Sequence, residues 1–418
     1  MLNYNITVSG TGSIAPDDGH VFQTVQVLLN GQLLDNIQNA MKVANVEMKL
    51  GGSQSYYRTA GSLQGFELLS PDLITKVPTT TAADLVAASG QYGYVAGNVA
   101  DIATRCKRAA AACFNNLTGE TRSIPLGLMS GFGRCATYLP IALLGEVALV
   151  LNTGSNNDVL FQYSATQDAT YSLANISLEY DIVVPDGRYM DLLQKVAGDG
   201  ADAGLHIPFE STIVGTGGVI SSSSSALQES SVITSRATNH LVRSSVVQVP
   251  TALVSSLAFP SQSCFSHAGT YSYQSRIGSQ TYPQIAVQGD AAMFNCALAA
   301  YGSPMNENGS AITRTLWGNS TNGSSAGTAA VYETADNSTG GSVKFAYGDS
   351  FIPSYGFRTV KGRAEPLDLD GVSLAGASGS QLITTIVSAP STNYTPYVLM
   401  TALKLISARG GSVSVVGA

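Results

Sequence analysis

Ile176, Leu178, Tyr180 and Ile182 alternate with Ser177, Glu179, Asp181 and Val183. A period of two is the mark of a strand with one face on a core, and it is the commonest pattern in this chain. Residues 21–29 form a longer apolar run, as expected of a strand covered on both faces. That run ends at Asn30-Gly31, a turn signal. Further strands are predicted at 141–151, 244–249, 382–387, 398–406 and 413–416. A chain with this many short strands must pack sheet on sheet.

Two helices interrupt the pattern. Leu34, Ile37, Met41, Ala44 and Met48 recur at helical spacing, and Gly51-Gly52 stops the run. In the other half, Asp290 is a candidate N-cap, Phe294, Ala297, Leu298 and Tyr301 form a stripe, and Gly302 ends it. Weaker helical patterns lie at 101–114 and 188–196. The stretch 197–225 holds Gly198-Asp199-Gly200, Gly215-Thr216-Gly217-Gly218 and a run of five serines. It reads as a linker or surface loop between a first unit, 1–196, and a second, 226–418. A second polar stretch, 306–341, reads as a long excursion within the second unit. It contains the one tryptophan, Trp317, for which an exposed contact and a return to the core are both open readings.

Composition narrows the function. Of 418 residues, 44% are hydrophobic and only 12% charged, about half the usual share of roughly 25%. Polarity comes from Ser, Thr, Asn, Gln and 43 glycines. Weak self-repulsion suits copies packed side by side. The net charge is −7, and the first basic residue is Lys42, so no basic arm precedes it to neutralise phosphates. Arg105, Lys107 and Arg108 form the tightest basic cluster, better read as a solvated face. Cys106, Cys113, Cys135, Cys264 and Cys296 include no C-x-x-C spacing and are expected to be reduced. No signal peptide is visible, and the apolar run 139–151 is too short to cross a bilayer.

Catalytic and metal-binding patterns are missing from the sequence. It contains no G-x-x-x-x-G-K-[ST], H-E-x-x-H or G-x-S-x-G. His20, His206, His240 and His267 are too far apart to form a local ligand pair. Asp368-Leu369-Asp370-Gly371 lacks the later ligands of a calcium loop and reads as a turn. Gly10-Thr11-Gly12 lacks the rest of a dinucleotide fingerprint. No catalytic, cofactor-binding or metal-binding residue is assigned, and a non-enzymatic protein is expected.

Several segments in order resemble a known family. Thr24-Val25-Gln26-Val27-Leu28-Leu29-Asn30-Gly31-Gln32 leads into the helical pattern at Leu34. Ile124-Pro125-Leu126 is followed by Tyr138-Leu139-Pro140-Ile141-Ala142-Leu143-Leu144-Gly145 and the apolar stretch 146–151. The segment 176–184 ends at Pro185. In the second unit, Arg276-Ile277-Gly278-Ser279-Gln280-Thr281-Tyr282-Pro283 precedes the helix at Asp290, and strands at 382–416 close the chain. This succession resembles the double jelly-roll major capsid proteins of eukaryotic DNA viruses. The likeness is to the polinton-like virus and virophage type and, more distantly, the nucleocytoplasmic large DNA viruses.

The resemblance implies an all-β fold of two consecutive eight-stranded jelly rolls with short helices in the loops. It further implies a homotrimer whose six rolls tile an icosahedral virion shell. The partners would be other copies, neighbouring capsomers, and minor capsid and penton proteins. No catalytic residue, cofactor or specific nucleic-acid contact is implied, and assembly would occur inside the host cell. A secreted or surface β-sandwich adhesin or carbohydrate-binding protein is the alternative that the Ser, Thr, Asn and Gly richness allows.

Overall fold

A computed structural model describes the chain in three blocks, residues 1–66, 120–301 and 350–416, with breaks inside each, of which 358–370 is the longest. Ile312 and Trp317 are described as well. The helical pattern expected at 101–114 and most of the excursion at 306–341 lie outside the described residues.

The second half is the simpler to follow. Its strands are β9 (Leu205–Thr216), β10 (Gln228–Ser235), β11 (Leu241–Pro250), β12 (Thr270–Ile277), β13 (Gln280–Gln288), β14 (Ser354–Gly356), β15 (Gln381–Ser388) and β16 (Tyr394–Arg409). They pair antiparallel as nested hairpins: β9 with β16, β10 with β15, β11 with β14 and β12 with β13. β11 also meets β16, and β12 meets β15. The results are two sheets, β14-β11-β16-β9 and β10-β15-β12-β13. A long hairpin rolled so that its third strand meets its eighth, and its fourth its seventh, is an eight-stranded jelly roll. A last strand, β17 (Ser412–Val416), folds back on the end of β16. The two sheets face each other: Ser244 on β11 lies 2.6 Å from the Tyr273 hydroxyl on β12, and Val246, Leu382, Ile386 and Val398 share one core.

The first half repeats this order. Its main strands are β1 (Leu2–Ser9), β3 (Phe22–Leu29), β4 (Gln32–Gln38), β5 (Glu120–Ile124), β6 (Val147–Thr153) and β8 (Thr170–Leu178). They form the sheets β5-β1-β8 and β4-β3-β6, antiparallel throughout. β1, β3, β4, β5, β6 and β8 thus hold the third to eighth places of a roll, pair for pair. A short rung, β2 (Ile14–Pro16) with β7 (Leu160–Gln162), links two of the connections. In both halves a helix follows the fifth strand: α1 (Ala40–Gly51) after β4, and α3 (Asp290–Ala300) after β13. Between the halves stands α2 (Gly187–Gly198), as the pattern at 188–196 predicted. The fold is therefore all-β, in two consecutive rolls with helices in the connections, and six of the first roll's strands are among the described residues.

Five local expectations are corrected. The helix read from Leu34 begins instead at Ala40. Asn30 and Gly31 both take positive φ, 50° and 76°, which is what a two-residue hairpin turn needs, so Leu34 and Ile37 are carried on β4 against β3. The β3 strand is not covered on both faces, because its burial alternates. Residues 141–144 form a helical turn, and the strand starts only at Val147, past Gly145 with φ 83°. The segment 197–225, expected as linker or loop, contains β9. Its Ile207, Phe209 and Ser211 are buried, and every residue of β9 pairs with β16. Asp290 is the first residue of α3 rather than its cap, which is Gly289.

Ile386 is fully buried on β15, between β10 and β12. Ile386→Ala removes that side chain from the middle of the second roll, and a loss of about 2–5 kcal/mol is expected. Equilibrium denaturation in urea is the check.

Candidate functional site: the seam between the rolls

The two rolls meet through α1. Ten of its twelve residues are buried, Lys42, Asn45 and Lys49 among them. Lysine is almost never buried without a partner, and each of these two has one in the second half. Lys42 Nζ donates to Gln262 Oε1 at 2.7 Å and sits 4.9 Å over the Tyr397 ring. Gln262 in turn donates through Nε2 to Asp158 Oδ1 at 2.9 Å. Lys49 Nζ donates to the Ser263 carbonyl at 2.5 Å and lies over Phe265. Asn45 Nδ2 donates to the Gln262 carbonyl at 3.2 Å. The polar face of α1 is thus sealed against residues 262–265.

At Glu47 the same helix enters an ion network. Arg243 Nη2 on β11 donates to Glu47 Oε1 at 2.6 Å and to Glu210 Oε2 on β9 at 2.9 Å. Arg134 Nη1 donates to Glu47 Oε2 at 2.9 Å. The Arg243 guanidinium also stacks 4.5 Å from the Tyr301 ring. Burial alone would push the Glu47 carboxyl up. Arg243 and Arg134 outweigh it and hold the carboxyl down at about 2. A third knot centres on buried Asp35 of β4. It accepts from Ser211 Oγ of β9 at 2.5 Å and from Ser130 Oγ at 3.2 Å, with Lys404 Nζ of β16 at 3.4 Å.

Apolar contacts run beside these knots. Val27, Leu29, Leu34, Phe132 and Leu144 of the first half share a cluster with Ile207, Phe209, Ile406 and Ala408 of the second. Phe132 meets Phe209 edge to face at 6.0 Å. Gly131 backs so closely onto β9 that a Cβ there would fall 1.7 Å from the Glu210 carbonyl oxygen, so only glycine fits.

None of this arrangement is catalytic in kind. Its acids are matched by bases, and its lysines by carbonyls. Among the described residues no group of three or more His, Cys, Asp or Glu is placed to hold a metal ion, and no helix is long and apolar enough to cross a membrane. The four histidines stay apart. His20 is fully buried; burial holds its imidazole down to about 4, against a backbone bond to Ala40 that raises it and with Arg122 lowering it further. His267 Nε2 lies 2.8 Å from Asp290 Oδ1 at the start of α3. Trp317 returns to the core: it stacks 5.0 Å from both Phe294 and Phe351, and its Nε1 donates to the Asp290 carbonyl.

The alternation at 176–182, read as a strand with one face on a core, has no cover. Ile176 is 55% exposed, Tyr180 68% and Ile182 74%, and β8 itself stops at Leu178.

No family model matches the sequence, and no curated protein matches it. Solved structures do. One is PBCV-1 VP54 fitted into a reconstruction of the virophage Sputnik, with TM-score 0.46 at 9% identity over 100% of this chain and 97% of that one. The Sputnik virophage structure gives 0.43 at 10% identity, over 100% and 81%. The major capsid protein P2 of bacteriophage PM2 gives 0.25 at 8%, over 96% and 87%. The assignment of the roll rests on the strand order in the chain itself.

Acid should act on the fold in two stages. The His20 imidazole is held below its ordinary 6.5, so the unfolded chain binds its proton first. Stability is expected to fall as pH drops from 6.5 to 4, by about 3 kcal/mol. The Glu47 carboxyl is held below its ordinary 4.5, so its contribution is present above that pH and is lost between 4.5 and 2. Glu47→Gln leaves Arg243 and Arg134 short of a buried partner and should cost roughly 3–5 kcal/mol at neutral pH. Denaturant titrations across pH test both: the E47Q deficit should shrink below pH 4.5, and H20Q should flatten the slope between 6.5 and 4.

Proposed function

We propose that this chain is the major capsid protein of a DNA virus, a structural subunit rather than an enzyme. The observation that carries the reading is the roll order repeated within one chain, with the two copies locked by a buried, charge-matched seam. A subunit with two similar rolls side by side has an outline repeated about a pseudo-two-fold. Three such subunits place six rolls around an axis and approximate a hexagon, a shape that tiles a closed surface. A tile must also keep its two lobes in fixed relation, which is what α1 and the Glu47 network do.

In this reading the first roll runs to about residue 196 and the second begins with β9 at Leu205, so the boundary falls in 199–204. The partners are two further copies, then neighbouring capsomers, with minor capsid and penton proteins closing the shell; the location is the virion. The low charge, 12% of residues, suits wide contacts between copies. The glycan-binding alternative has only the Ser, Thr, Asn and Gly richness of the sequence in its favour.

Size exclusion with light scattering tests the trimer. A species of three times the chain mass is expected at micromolar concentration, with a hexagonal outline by negative-stain microscopy. A stable monomer under those conditions defeats the trimer, and a trimer with three separated lobes defeats the six-roll outline.

A further inference from the structure

Three side chains of the seam stand in one hydrogen-bonded row: Lys42 of α1, Gln262 of the second half, and Asp158 just before β7. Lys42 Nζ donates to Gln262 Oε1 at 2.7 Å, and Gln262 Nε2 donates to Asp158 Oδ1 at 2.9 Å. Lys42 and Gln262 are each 1% exposed. An amine is thus held against one end of a primary amide, and a carboxylate against the other. Lys42 and Gln262 are 220 positions apart in the chain, so the row crosses from the first roll to the second.

Each member of the row is held from a second side. Lys42 Nζ lies 4.9 Å from the Tyr397 ring. The Gln262 carbonyl accepts from Asn45 Nδ2 at 3.2 Å, so the helix that carries the amine also fixes the loop that carries the amide. Gln262 Nε2 has a longer contact of 3.4 Å with Ser261 Oγ. Asp158 Oδ2 accepts from Ser155 Oγ at 2.7 Å, which leaves Oδ1 turned to Nε2. Attack on a carbonyl needs the reacting atoms held at about 3–3.5 Å. Cδ of Gln262 is one bond beyond an oxygen already 2.7 Å from Nζ. Lys49 shows the contrast, because its Nζ is met by the backbone carbonyl of Ser263. At Lys42 the acceptor is instead an acyl group with an amine to lose, and that amine faces a carboxylate.

We propose that the folded chain joins Lys42 to Gln262 by an intramolecular isopeptide bond, with Asp158 as the proton carrier. Nζ attacks Cδ as the nucleophile; the Nζ–Cδ bond forms and the Cδ–Nε2 bond breaks. An ammonium Nζ enters with three protons, and the new amide nitrogen keeps one. The other two leave with the departing Nε2 amine as an ammonium ion. Asp158, hydrogen-bonded to Nε2, hands protons to that nitrogen and ends the step as the carboxylate it began as. Nothing is oxidised or reduced. The step occurs once per chain and is not turnover, so the subunit remains structural. The bond ties α1 to the second roll covalently and keeps the chain closed between positions 42 and 262 even when it unfolds. It forms within one subunit, and so stands apart from the trimer.

Mass spectrometry of the full chain tests it, on protein incubated in the folded state and then denatured and reduced. The intact mass should fall below the sequence mass by one ammonia. Trypsin should release a branched peptide that joins residues 1–49, uncut at Lys42, to residues 244–276. Lys42→Arg keeps a cationic donor for Gln262 but removes the nucleophile, and should show the full sequence mass and no branched peptide. Asp158→Asn keeps an acceptor for Nε2 but removes the proton carrier. It should slow bond formation by roughly a hundredfold or more, with a circular dichroism spectrum like that of the wild type. A folded wild-type chain that keeps its full sequence mass overturns the proposal. So does a mass deficit that persists in K42R, as ring closure at Asn30-Gly31 would give. A D158N rate equal to the wild type overturns the role given to Asp158.

Discussion

Glu47 is the point on which the arrangement of the two rolls turns. It sits on α1, the helix that the first roll packs against the second, and two guanidiniums from different parts of the chain close on it. A buried carboxylate with one partner removed is costly, by roughly 3–5 kcal/mol, so the network tolerates few geometries. Arg243 extends it to Glu210 on β9, and thereby ties α1 to two strands of the adjoining sheet. Lys42, five residues before it, and Lys49, two after it, add contacts to a single loop at 262–263. Apolar packing alone would let two rolls slide over each other; fixed charges in a dry interface do not.

Much of the fold was legible in the sequence because strand order follows from turn chemistry and periodicity. Asn30-Gly31 is a hairpin signal, and so is Gly278-Ser279, where Gly278 takes φ 59° between β12 and β13. The strands at 382–387, 398–406 and 413–416 were read within a few residues of β15, β16 and β17. The helix at Leu34 was misread for a physical reason. Leu34 and Ile37 satisfy a helical spacing with Met41, but the tight turn at Asn30 had already committed residues 32–38 to pairing with β3, and tertiary pairing overrides a weak local period. The stretch 197–225 failed similarly. Its glycines and serines suggested a linker, yet Ile207, Phe209 and Ile213 alternate across the gap between those runs.

The seam was not legible. Nothing in the spacing of Glu47, Arg134, Glu210 and Arg243 marks them as neighbours, since they come from four elements and the longest gap between them, Glu47 to Arg243, spans 196 positions. Lys42 and Lys49 lie two turns apart on α1, and nothing in their spacing marks them as buried. Trp317 could be placed only once Phe294 and Phe351 were seen to sandwich it. Buried polar contacts of high sequence separation carry no periodic signal, so they are where a reading of one sequence stops.

The repeat itself explains why the unequal cover of the two rolls matters. Both use the same hairpin pairings, and both place a helix after the fifth strand, so a difference between them is not a difference of fold. In the second roll the eighth strand lies between two neighbours, with its central residues buried. In the first, the same place ends in Ile176 and Leu178 facing outward. β8 alternates polar and apolar residues, and none of them is buried. Among the described residues β8 and β6 each pair on one side only, whereas β15 and β16 pair on both.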